Sequence, residues 1–229
     1  MRGTLVNVVA VLLGSAIGLA AGARLPERFQ QIITTGLGLS TLLIGGQMAL
    51  KAGNILVVIA SMVLGGMLGE WLDLEAALER AGERLKRRAG AGSGTFVAGF
   101  VTASLVFCVG PMTIVGSIQE GIGGGAEILY TKAMLDGAAS IAFSASLGIG
   151  VAFSVVTVLV VQGGLTLLGG QLGFLLEPEV LHELTAAGGL LIVGIGLLLL
   201  EIKRLRIANL LPALVVVVLL TIGRRALGW

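Results

Sequence analysis

The chain has 229 residues, of which 56% are hydrophobic and 12% charged, with a mean hydropathy of +1.03. A soluble chain carries about twice that share of charge, and charge-free apolar runs of about 20 residues recur from end to end, which excludes a soluble globular domain. The net charge of +2 lies mostly in loops, where it reports orientation rather than a nucleic-acid partner, and a single cysteine, Cys108, excludes an internal disulfide or a multi-cysteine metal site.

The expected fold class is all-α: a polytopic transmembrane helix bundle of about eight spans, filling residues 1–229 as one membrane domain. Helix 1 is expected over residues 4–23, where Gly14, Gly18 and Gly22 share one face. Such small-residue stripes let backbones approach closely in lipid. Arg2 and the Ala21-Gly22-Ala23 triplet resemble a signal peptide, but the apolar run is long for one, so a retained helix is the reading. Helix 2 follows Arg24 to Arg28 and runs to residue 50; Asn54 is placed to cap helix 3, which ends near residue 71, closing a first three-helix unit at 1–72.

Residues 72–94 read LDLEAALERAGERLKRRAGAGSG, and within them the segment 73–93 has Leu74, Leu78 and Leu85 on one side and Arg80, Arg84, Lys86, Arg87 and Arg88 supplying charge. This predicts an amphipathic helix on a membrane surface, followed by a linker, and its basicity places it in the cytoplasm. Counting back through three helices puts the N-terminus outside.

Helix 4 is expected over residues 96–119. Residues 137–176 then carry no charge, too long a run for one span, and SLGIG at 146–150 is the expected break. Helix 5 then covers 127–147, helix 6 151–175, helix 7 183–200 and helix 8 209–223. A rival segmentation breaks instead near Gln162-Gly163-Gly164 and leaves Lys132 and Asp136 at the water interface. His182, beside Glu179 and Glu183, reads as a solvated loop residue. Pro26-Glu27 leading to Asn54 parallels Pro178-Glu179 leading to Asn209, so helices 1–3 and 6–8 (residues 151–229) read as an inverted repeat around the central pair at 94–150.

Chemistry concentrates in that central pair. Pro111 after Gly110 removes a backbone donor and should kink or unwind helix 4, and the freed carbonyls must meet protein or a water-filled cavity. Thr113, Ser117, Gln119 and Glu120 gather after the break; the plainer reading is a proline kink whose hydroxyls bond their own helix. On helix 5, Lys132, Asp136, Ser140, Ser144 and Gly148 recur every four residues. Asp136 would lie about 14 Å into that helix, where a lone charge is costly and must pair or face a hydrated cavity. Asn7, Thr35, Thr41, Gln47, Gln162 and Thr166 are weaker candidates for a cavity lining.

The segments FCVGPMTIVGSIQEG, Lys132 with LDG at 135–137, Ser140, GIGVAFS and QGGLT, with the GTLVN opening and the basic loop after helix 3, resemble the YqgA/YdfK-like family of bacterial membrane proteins. The resemblance covers nearly the whole chain, departing at Glu120 where the family pattern leads one to expect Asp. It implies an integral protein of the bacterial cytoplasmic membrane and assigns no substrate or catalytic residue.

The leading expectation is a secondary transporter for a small polar or charged solute or ion. Asp136, or Glu120, would bind the coupling ion, Lys132 would tune Asp136, and the carbonyls near Gly110 and the hydroxyls of Thr113, Ser117 and Ser140 would coordinate. A channel using the same residues, or a structural or regulatory protein acting through the 72–88 amphipathic helix, are the alternatives. No GxSG, HExxH or GxGD motif is present, so no enzyme, cofactor or metal is expected. The partners expected are membrane lipid and the solute, with self-association through glycine faces and no nucleic acid.

Overall fold

The structure is a computed structural model that describes residues 1–90, 94–203 and 205–226. Every regular element among the described residues is helical: α1 Arg2–Gly22, α2 Glu27–Ala49, α3 Ile55–Leu72, α4 Leu74–Arg88, α5 Phe96–Val109, α6 Pro111–Gly121, α7 Glu127–Leu147, α8 Gly150–Phe153, α9 Val155–Leu167, α10 Pro178–Leu199 and α11 Pro212–Ala226, with short 3-10 turns at Gly173–Leu176 and Ile207–Leu210. Six described helices are long and apolar enough to cross a membrane, and a seventh if α5 and α6, bent by 59° at Gly110, count as one broken span. α7 has the length, but its Lys and Asp lower its apolarity and it is not among them.

Several expected boundaries move. Asn54 does cap α3, its side chain accepting from the N–H groups of Leu56 and Val57. The break at Gly148, where φ is 79°, replaces the rival one: Gln162 to Gly164 lie inside α9. α9 stops at Leu167, short of residue 175, and Gly169 then meets the Gly121 backbone so closely that a Cβ would stand 2.9 Å from it. α10 begins at Pro178 rather than residue 183, because a proline at the first helical position and Glu179 in the first turn suit a helix start. Asn209 does not open α11; it sits in the 3-10 turn and its side chain bonds elsewhere. The linker residues 91–93 and Arg204 of the second basic loop lie outside the described residues.

The chain forms two compact units. The first comprises the described residues of Met1–Leu37, Glu79–Cys108 and Met112–Leu172. Its spine is α1 lying parallel to α7: a Cβ on Gly14 or Gly18 would fall on the carbonyl oxygen of Gly137 or Ile141, and one on Gly22 would stand 2.5 Å from that of Ala145. At the other end a Cβ on Gly3 would stand 2.5 Å from Leu129. The glycine stripe thus brings two backbones together along the second half of α1, the close packing such stripes serve in lipid, while the Leu129 side chain fills the space at Gly3. α9 runs antiparallel to α1: α7 ends beside Gly22, the chain turns back at Gly148, and Gln162 and Gly163 return to Thr4, Asn7 and Met1, with α8 also touching α1. The apolar α5 buries Phe96, Phe100, Leu105 and Phe107, the last edge-on to Phe143 of α7.

The second unit comprises the described residues of Gly38–Leu78, Val109–Pro111 and Gly173–Trp229. α10 is its most enclosed helix. α2 crosses it antiparallel: a Cβ on Gly38 would stand 2.7 Å from Leu200, and one on Gly45 2.6 Å from the Val193 nitrogen. α3 and α11 are antiparallel too, Gly65 meeting Ala213 and Gly69 meeting Asn209. One end is tied by Glu70, which pairs with Arg206 and accepts from Asn209 Nδ2 at 2.7 Å, while Asn209 Oδ1 accepts from the Glu75 N–H. The other is tied by the pairs Glu179–Arg224 and Glu177–Arg225.

Candidate functional site

Three charged side chains are buried among the described residues: Lys132, Asp136 and Glu183. The first two form an ion pair inside the first unit, one helical turn apart on α7 as their spacing requires. Lys132 is 4% and Asp136 8% exposed. Burying either charge alone would cost several kcal/mol, so the pairing is what makes both tolerable.

The carboxylate is held by neutral groups from other helices. Asp136 Oδ2 accepts from Asn7 Nδ2 of α1 at 2.9 Å, and the same amide donates to Gln162 Oε1 of α9 at 2.9 Å. Gln162 Nε2 in turn donates to Thr4 Oγ1 at 3.3 Å. Asn7 and Gln162 are both fully buried. One amide thus orients the carboxylate without neutralising it, and a second amide, from α9, holds the first in place. Below the pair, Ser140 Oγ donates to the Asp136 carbonyl at 2.7 Å. Ser144 Oγ and Ser15 Oγ are buried and have no hydrogen-bond partner among the described residues. Cys108, near the end of α5, lies within electrostatic reach of both Lys132 and Asp136.

The helix break behaves as a proline break should, with one addition. Pro111 cannot donate to the carbonyl of Phe107, four residues back. Thr113 Oγ1 donates to that carbonyl instead, at 3.0 Å, so a side chain replaces the missing backbone donor. Thr113 is therefore engaged in holding the bend. Gly110 and Pro111 themselves belong to the second unit, and Ser117 is buried on α6 with no partner for its hydroxyl among the described residues.

Glu120 does not join Asp136. It caps the start of α1, accepting from the Gly3 N–H at 2.9 Å and lying 3.0 Å from the Met1 nitrogen, a favourable place for an anion. Gln119 is half-buried, its carbonyl accepting from Gly124. A cleft of about 400 Å³ opens there between Met1, Arg2, Glu120, Glu127 and Tyr130. From that cleft the polar contacts descend α1 in order: Glu120 at Gly3, Gln162 at Thr4, Asp136 at Asn7.

Of the weaker candidates, Thr166 bonds its own helix and Thr35 and Gln47 are exposed. Thr41 is buried in the second unit. Thr4 escapes notice in the sequence, because it reads only as the start of helix 1. Glu183 reads as the first residue of helix 7, next to the loop that holds His182. His182 is indeed exposed, but Glu183 is 1% exposed inside α10. The signal for it is Pro178, whose fixed φ opens a helix that carries Glu183 inward one turn later.

Comparison with known proteins also points to a membrane bundle. The family model described as "Protein of unknown function (DUF554)" matches residues 2–222. The chain belongs to the DUF554 family. Curated relatives of this DUF554 chain include the uncharacterized protein YqgA of Escherichia coli, 31% identical over 93% of this chain and 92% of the relative. The uncharacterized membrane protein YdfK of Bacillus subtilis is 28% identical over 94% of this chain and 93% of the relative. No solved structure matches. The DUF554 chain is a multi-pass helical membrane protein.

Proposed function

We propose that the protein is a secondary transporter moving a small polar or charged solute or ion across the bacterial cytoplasmic membrane. The observation that carries this reading is the buried Lys132–Asp136 pair, on a helix running beside the apolar span α1, its carboxylate bonded from α1 by the Asn7 amide, which Gln162 of α9 holds in turn. An ionisable pair at membrane depth is expensive and marks ion or solute pathways by default. Asp136 binds the coupling proton or cation at the oxygen that Lys132 holds when the site is unloaded. Loading releases Lys132 to solute, while Asn7, itself held by Gln162, keeps the carboxylate aimed. Glu120 ranks second, since α1 already occupies it.

The same reading takes α7 as a further crossing, giving eight in all, and takes helices 1–3 and 6–8 as an inverted repeat. Antiparallel contact between α1 and α9, α2 and α10, and α3 and α11 supports that repeat, the plan on which many transporters are built. It puts the basic α4 in the cytoplasm against lipid headgroups, allows self-association, and assigns no catalysis, cofactor or nucleic-acid partner. A channel would use the same residues and differ in flux kinetics.

The test is charge movement in proteoliposomes on a solid-supported membrane, screening protons, Na⁺, K⁺, amino acids, polyamines and organic acids. A solute-dependent current is expected in the parent, lost in Asp136→Asn and in Lys132→Met/Asp136→Asn, the double variant serving as the better-folded control. Parent-like current in both would remove Asp136 from the coupling role.

A further inference from the structure

The third buried charge, Glu183, has no counter-ion among the described residues. Its neighbours on every side are accounted for. Glu179, one turn earlier on α10, is taken by Arg224 of α11, and Glu177 by Arg225. His182, next to it in the chain, lies within electrostatic reach but is exposed and makes no ion pair with it; Lys51 is exposed in the turn before α3, and the charges at the far end of α3 and the 3-10 turn, Glu70 and Arg206, hold each other. What Glu183 does have is backbone. Oε1 accepts from the Asn54 N–H at 2.5 Å, with the Gly53 N–H beside it. Oε2 is buried and has no partner among the described residues.

This arrangement separates the two oxygens by role. Oε1 faces only donors, the N–H groups of Gly53 and Asn54 just ahead of α3, and so can only accept. Oε2 is left as the sole position for a positive charge. A helix N-terminus attracts an anion, but more weakly than burial penalises an unpaired carboxylate. Every other carboxylate among the described residues is exposed, half-buried, or set against a cation. Glu183 alone meets neither condition.

We propose that Glu183 Oε2 is a binding site for a small monovalent cation, H⁺ or Na⁺, in the second unit, distinct from the Asp136 site. Glu183 lies five residues into α10, about 7 to 8 Å along its axis, close enough to the helix end for an ion to arrive from the adjoining water. The backbone clamp on Oε1 keeps the carboxyl in place whether Oε2 is loaded or empty, so loading need not disturb the start of α3. The site requires no transported solute and stands apart from the transport reading.

Infrared difference spectroscopy of the purified full chain tests it. The expected result on a pH step in choline buffer is a carboxylic-acid C=O band absent from Glu183→Gln, whose amide oxygen can still accept from Asn54 and preserve the cap. That identifies H⁺. If Na⁺ is the ligand, adding Na⁺ but not choline at constant pH perturbs a carboxylate band, again absent from Glu183→Gln. In Glu183→Asp, which keeps a carboxyl should the glutamine variant fold poorly, the band moves in frequency instead of vanishing. Parent spectra that show no such band under either step, or bands unchanged in Glu183→Gln and Glu183→Asp alike, would overturn the proposal and leave Glu183 a permanent anionic cap.

Discussion

At the scale of single residues, the fate of Lys132 and Asp136 depends on each other more than on the fold around them. Removing one partner of a buried pair strands the other charge at about 3 to 5 kcal/mol, whereas removing both leaves a merely polar site. Lys132→Met is therefore expected to lower thermal stability in detergent well below the parent, and Lys132→Met/Asp136→Asn to recover most of the loss. A double-mutant cycle on melting of the four proteins measures the coupling; additive losses would mean that the pair is solvated after all. The sequence exposes this pair by its four-residue spacing. It cannot expose Asn7 and Gln162 as its partners, because 129 residues separate Asn7 from Asp136 and no local rule links them. Thr113 teaches the converse: its hydroxyl looks available in the sequence, yet Pro111 leaves a carbonyl that claims it.

At the scale of helices, the glycine stripe of α1 is readable and its partner is not. Small residues at every fourth position announce that something approaches, and only the fold says that α7 does, by its own backbone. Substituting Gly18 with Leu should force α1 off Ile141 and cost about 1 to 3 kcal/mol or more, seen as a lower melting temperature in detergent. Gly46 is the contrast, since a methyl group added there would meet nothing within 4 Å: Gly46→Ala should be neutral or stabilising by up to about 1 kcal/mol. The helix ends that the sequence misplaces share one cause. Glu183 looks like the first residue of a helix and Asn209 like the opening of another, because both are polar; both judgements fail where a side chain serves a neighbouring helix instead of its own.

At the scale of the molecule, apolar composition makes the membrane class plain, whereas the count of crossings is not read from hydropathy alone: six described helices qualify by length and apolarity, and a seventh if the bent α5–α6 pair is one span. The first unit offers a direct check of orientation. The residue 123–125 turn lies with the start of α1, and the turn after Gly22 lies with Ala145 at the opposite end, as does α4 through Gly82 against Phe100. With Cys108 replaced by Ser, cysteines introduced at Arg24 and Ala89 should be labelled from the cytoplasm by a membrane-impermeant maleimide, and one at Gly124 from outside. Labelling of all three from one face would refute the crossing scheme. The tight contact of α1 with α7 also has a mechanical meaning. Two backbones meshed at three successive glycines form a single stiff rod, so Asn7, Asp136 and Lys132 travel as one body. Gln162 is fastened to that rod by two amide contacts, to Thr4 and Asn7. Any shift of α9 along that rod would exchange those two neutral bonds and leave the Lys132–Asp136 pair in place.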